Sequence, residues 1–68
     1  MLTFLIQYRD SSEALRLPEG EAQALTGVTS SGLRQAKREP KMDQSGRVFS
    51  TLAIYNEDGS CYCTPSNR

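Results

Sequence analysis

No histidine and no tryptophan occur in the 68 residues, and there are only two cysteines, Cys61 and Cys63. Without histidine the chain lacks the side chain that usually serves as a general base near neutral pH. Its carboxylates are not clustered among apolar neighbours that would raise a pKa into that range. Two thiolates are half the ligand set of a structural zinc site. Two residues apart on a strand, they project to one face roughly 6.5 to 7 Å from each other, too far for a disulfide of normal geometry. The cysteines read instead as small apolar side chains. No apolar run is long enough to span a bilayer, and Met1 leads directly into a β-patterned segment without a basic leader, so a reducing cytoplasm is the expected compartment. The glycines form neither a P-loop nor a dinucleotide fingerprint, and the serine pairs at 11/12 and 30/31 stand where turns and helix caps are expected. The chain is therefore expected not to be an enzyme and to need no cofactor or metal.

Large apolar side chains are also few, and a chain of this length buries only about 60% of its unfolded surface. One domain, residues 1 to 64, with a frayed tail at 65–68, is the expected organisation. A core this thin gains from a second subunit, so a homodimer is one expected form. The formal net charge is zero, but it is unevenly spread. Residues 1 to 24 are acidic, with Asp10, Glu13, Glu19 and Glu21 against Arg9 and Arg16. Residues 25 to 47 are basic, with Arg34, Lys37, Arg38, Lys41 and Arg47 against Glu39 and Asp43. One basic segment in a mildly acidic chain is the first functional hint.

What is present is best patterned at the C-terminal end. Val48 to Tyr55 is rich in β-branched and aromatic residues, Asn56-Glu57-Asp58-Gly59 is a turn in which Gly59 takes a left-handed position, and Ser60 to Thr64 returns as the second arm of a β-hairpin. In that hairpin Leu52 and Ile54 are expected to share the core face with Cys61 and Cys63, leaving Tyr55 and Tyr62 on the other side. Leu2 to Tyr8 alternates as a half-buried strand, with Leu2, Phe4, Ile6 and Tyr8 inward and Leu5 on the opposite face; ordinary exposure of a lone leucine is the favoured reading there, and a second covered face or an edge that pairs with another chain is the alternative.

Asp10 to Leu17 has two readings. As a turn and strand, Asp10-Ser11-Ser12 closes a hairpin and Leu15 and Leu17 face one way; as a helix, Asp10 and Glu13 have capping-box spacing and Pro18 ends the segment. The tight turn and the brevity favour the strand. Pro18 to Thr26 reads as a helix, with proline first, Glu19 and Glu21 in the first turn, Gly27 as the left-handed stop, and a narrow buried face inferred from Leu25 and Val28. A second helix opens at Ser30 or Ser31 and runs to about Glu39, with Leu33 and Ala36 inward and Arg34, Lys37 and Arg38 outward, until Pro40 stops it. Lys41 to Gly46 has no periodicity and reads as a loop. The fold class is thus a small α+β domain: an N-terminal strand or hairpin, two short central helices and a C-terminal β-hairpin.

Gln23 to Lys37, QALTGVTSSGLRQAK, resembles a helix-turn-helix, with a turn at Gly27-Val28 and a second helix whose Leu33 and Ala36 pack on the first. Together with the leading strand, the helical reading of Ser11 to Leu17 and the Asp58-Gly59-Ser60 hairpin, the order of elements resembles that of the Cro-type repressors of phages. The resemblance implies DNA binding by a dimer joined through the C-terminal hairpin. It implies that Thr29, Ser30, Ser31, Arg34 and Gln35 enter the major groove and that Lys37, Arg38 and Lys41 meet phosphates. The other reading, ranked first, is a protein-binding module of the accessory or inhibitory kind found in phages and mobile elements, in which the basic stretch is a solvated helix face.

Overall fold

A computed structural model describes residues 1–62 of the chain, so Cys63 and the tail at 65–68 lie outside the described residues. The elements run β1 (Thr3–Tyr8), β2 (Ala14–Pro18), α1 (Glu19–Thr26), α2 (Ser30–Gln35), β3 (Lys41–Met42) and β4 (Val48–Tyr55). The four strands form one antiparallel sheet in the order β2-β1-β4-β3. Both helices lie on one face, where Ala22, Leu33 and Ala36 close over Phe4, Ile6, Tyr8, Phe49 and Ile54.

The two-residue period of the first segment holds: Phe4, Ile6 and Tyr8 are buried and Leu2 packs beside them. The ambiguous stretch after it is a strand. β2 pairs with β1 so that Leu17 stands opposite Phe4 and Leu15 opposite Ile6. The capping box is not made: the Ser11 hydroxyl accepts from the Glu13 N–H within the turn, and Asp10 instead accepts two hydrogen bonds from the Arg47 guanidinium, 2.7 and 3.1 Å long. A five-residue strand with a partner satisfies its backbone on the sheet, which an isolated turn and a half of helix does not.

α1 begins after Pro18, whose φ of −61° suits the approach to a helix, and ends at Gly27, at φ 72°, whose N–H bonds the Gln23 carbonyl. Its buried face differs from the expected one. Leu25 is 40% exposed, and Ala22 and Thr26, one turn apart, are the residues that meet the sheet. Thr26 is accommodated because its hydroxyl donates to the Ala22 carbonyl at 2.8 Å and accepts from the Val28 N–H at 3.1 Å. The N-cap of α2 is Thr29, whose side chain accepts from the Gly32 N–H, rather than Ser30 or Ser31. The helix also stops at Gln35, short of Glu39. Its carbonyls are claimed by β4: the Thr51 hydroxyl donates to the Leu33 carbonyl at 2.8 Å and the Thr51 N–H to the Ala36 carbonyl at 3.2 Å. Those bonds fix the helix end over the middle of β4, and Pro40 bars any continuation.

β4 carries the largest departure from the expected pattern. Its register against β1 shifts between Leu5 and Ile6, so that Leu5 faces Ala53, Ile6 faces Thr51, and Leu52 is the extra residue of a β-bulge. Phe49 and Thr51 therefore point inward, the phase then slips by one, and Ile54 points inward. Leu52, expected in the core, is 48% exposed on the opposite face. The turn forms as expected, with the Gly59 N–H bonded to the Asn56 carbonyl and Gly59 at φ 89°. The return arm, however, bridges Tyr55 to Cys61, and the Tyr62 N–H bonds the Ile54 carbonyl. That register exposes Cys61 and packs Tyr62 against the core, the reverse of the expected faces.

Candidate functional site

The surface most open to a partner is the sheet face that carries no helix, and its shape depends on a polar latch at one end. Lys41 to Gly46, expected to be a plain loop, begins as strand β3 and turns around Asp43, which is buried. One Asp43 oxygen accepts from the Ser45 N–H, the Ser45 hydroxyl and the Arg47 N–H at 2.9, 2.8 and 2.9 Å; the other accepts from the Tyr8 hydroxyl at 2.7 Å. Gln44 adds to the anchor by donating to the carbonyls of Ala24 and Leu25 at the end of α1. The Arg47 guanidinium lies 4.0 Å from the centre of the Tyr8 ring and is paired to Asp10, tying the β1–β2 turn to the start of β4. A sequence signal for this latch exists. In Asp43-Gln44-Ser45 and in Asp58-Gly59-Ser60 alike, an aspartate accepts from the N–H and hydroxyl of the serine two positions on.

The latch is charged. Burial alone would raise the Asp43 carboxyl, but the hydrogen bonds from Tyr8, Ser45 and Arg47 outweigh it and hold it well below the usual carboxylate range. The Arg47 side chain holds Asp10 below its ordinary value as well. Burial, together with the neighbouring Asp43 carboxylate, pushes the Tyr8 phenol up to about 12. An unfolded tyrosine titrates near ~10, so the stability that keeps Tyr8 neutral is fully present below that pH and is lost as the pH rises from about 10 to about 12. Thermal melts across that range should show a falling midpoint in the native chain and a shallower fall in Tyr8→Phe.

On the open face the register aligns Thr3, Leu5 and Gln7 of β1 with Ala14 and Arg16 of β2 and with Ser50, Ala53 and Tyr55 of β4, and Val48 and the bulge residue Leu52 lie beside Gln7 and Ser50 on the same side. Met42 of β3 stands beside Val48 and is 62% exposed. Arg16 reaches across β1 and lies 4.6 Å from the centre of the Tyr55 ring. Near the turn end, Gln7, Tyr8, Arg9, Ser11, Val48, Ser50 and Leu52 line a shallow depression.

The residues singled out from the sequence lie elsewhere, on α2 and the turn after it. Ser30 is half-buried between the helices, its hydroxyl accepting from the Gln23 amide at 2.7 Å and donating to the Glu19 carboxylate. The N-terminal turn of α2 thus already holds a carboxylate. Ser31, Gln35, Lys37 and Arg38 are exposed, and Arg34 is half-buried. Lys41 donates to the Gln35 side chain at 3.1 Å, which brings its ammonium to the last turn of α2. Among the described residues no three potential metal ligands converge, and no helix is long and apolar enough to cross a membrane. Comparison with protein-family models, curated proteins and solved structures gave no match.

Proposed function

We propose that the chain is a non-enzymatic protein-binding module, an accessory or inhibitory protein of the kind carried by phages and mobile elements, and that it docks through its open sheet face. One observation carries this reading: the β-bulge turns Leu52 out of the core and onto a face already bearing Leu5, Val48 and Met42. A half-exposed leucine on the solvent face of a central strand contributes only part of its apolar area to the fold, whereas in an interface the remainder is buried as well. Helices and core occupy the other face, so the open face is free to meet a partner without cost to the fold.

Leu52→Glu tests the proposal. Because the side chain is half exposed, its melting temperature should stay within about 4 °C of the native value. A partner retained from host lysate by the immobilised native chain should be lost with Leu52→Glu and kept with Glu21→Lys on α1. Retention by all three proteins contradicts docking through this face.

A second reading, DNA binding by a Cro-like regulator, is supported by the gathering of Arg34, Lys37, Arg38 and Lys41 around the end of α2. It expects affinity for duplex DNA to fall steeply with salt and to be lost in Arg34→Ala. Binding indifferent to salt or to that substitution contradicts it.

A further inference from the structure

The open face is charged in one sense only. Arg9 and Arg16 are its ionised side chains, and none of the residues that the strand register places there is acidic. Since the chain as a whole is neutral, this face stands against a net acidic remainder. The two arginines also differ from Arg47, which is spent on Asp10. Arg9 is exposed, continues β1 by donating its N–H to the Val48 carbonyl, and makes no ion pair among the described residues. The Arg16 guanidinium lies over the Tyr55 ring, 4.6 Å from its centre, and Arg16 is exposed and makes no ion pair among the described residues. Between them, Val48 and Leu52 form an apolar wall of the depression, with Gln7 and Ser50 supplying polar groups.

We infer that the open face takes an acidic and apolar linear segment of a partner protein, one carboxylate meeting Arg9, a second meeting Arg16, and an apolar side chain entering the depression against Val48 and Leu52. This rests on the open face being the docking surface and specifies what docks there. The Arg16 guanidinium sits over Tyr55, which is registered opposite Thr3, six residues before Arg9 on β1, so the two carboxylates sit roughly 20 Å apart. That span is about six residues of extended chain or about thirteen of helix. A guanidinium bonds a carboxylate through two parallel N–H donors, and charge-complementary faces steer association as well as select the partner. A single-stranded nucleic acid also carries negative charge, but it needs aromatic faces for its bases. Among the residues that the strand register places on this face, the aromatic ring is that of Tyr55, which already carries the Arg16 guanidinium; Tyr8 also borders the depression, but its ring is buried against Phe49 with its hydroxyl on Asp43 and offers no face for stacking.

The test is selection of a random dodecapeptide library displayed on phage against the immobilised chain, with blank support as control. Selected peptides should be enriched in Asp or Glu flanking Leu, Ile or Phe. Their affinity should fall about tenfold in an Arg9→Gln/Arg16→Gln double variant and should weaken with added salt. Circular dichroism melts of the double variant establish that it folds. Peptides selected without acidic enrichment, or bound equally by the double variant, overturn the inference, as does failure to select any sequence above the control. So does a single-stranded thymidine decamer that displaces nothing acidic yet shifts the amide resonances of Gln7, Arg9 and Ser50 more strongly than the peptides do; that result assigns the face to nucleic acid. The docking reading fails separately: partner retention that depends on Leu52 but not on Arg9 and Arg16 removes the acidic segment and keeps the face, whereas retention independent of Leu52 removes both.

Discussion

Asp43→Ala is expected to lower the melting temperature by at least roughly 10 °C, the deepest loss from any single polar substitution in the chain. The carboxylate accepts four hydrogen bonds at 2.7 to 2.9 Å, and its removal leaves the hydroxyl of Tyr8, a residue only 3% exposed, without an acceptor. Unsatisfied buried donors are costlier than the average hydrogen bond is favourable, so the loss exceeds what the count of bonds suggests. Asp43→Asn keeps an acceptor oxygen for the Ser45 and Arg47 amides and should lose about half as much. The pH dependence follows the direction of the shift. A carboxyl held low in the folded chain contributes stability that is present above its unfolded value near ~3.9 and lost as the pH falls below it. Melts at about pH 6, 4 and 3 should therefore fall for the native chain and fall less for Asp43→Asn. Equal slopes would mean that the latch does not hold the charge the hydrogen bonds imply.

Phe49→Ala should cost about 3 to 5 kcal/mol. A domain of this length has roughly 3 to 10 kcal/mol to lose, so a substantial unfolded fraction is expected at room temperature. Phe49 is fully buried near the start of β4, its ring 5.8 Å from that of Tyr8, opposite Tyr8 on β1 and Lys41 on β3. Removing it opens a void under the row that joins the core to the Asp43 latch. Phe49→Leu, which keeps most of the volume, should cost less than half as much. Urea unfolding of the three proteins measures both values, and an alanine variant within about 1 kcal/mol of native would show that the helices collapse to fill the site.

The elements written locally in the chain were legible in it. Period-two alternation put Phe4, Ile6 and Tyr8 in the core, Gly27 ended α1, and the turn ending at Gly59 formed as its residues dictate. What could not be read depends on contacts distant in sequence. The bulge at Leu52 arises from how β4 meets β1 more than forty residues earlier. The exchange of Cys61 for Tyr62 is local instead: the turn sets Cys61 opposite Tyr55 and Tyr62 beside Ile54, one residue from the expected register. α2 ends early because Thr51, sixteen residues beyond Gln35, takes its carbonyls. Asp43 resembles any loop acid until Tyr8 is brought to it by the sheet.

The same division applies to the candidate sites. The basic segment stood out because its charges are consecutive along the chain, and Ser30 within it is committed to Glu19 and Gln23 between the helices. The open face is assembled from four strands and one bulge, so no stretch of sequence displays it. Leu5 alone hinted at it, as an apolar residue on the outward side of β1.

Docking through the open face is tested most directly by photo-crosslinking in the host cell. A photoreactive phenylalanine analogue is placed at Leu52 on that face in one chain and at Leu25, similarly exposed on α1, in another. The prediction is a discrete crosslinked protein adduct from position 52 and none from position 25. An adduct from position 25 alone would place the partner on the helices and contradict the open-face role.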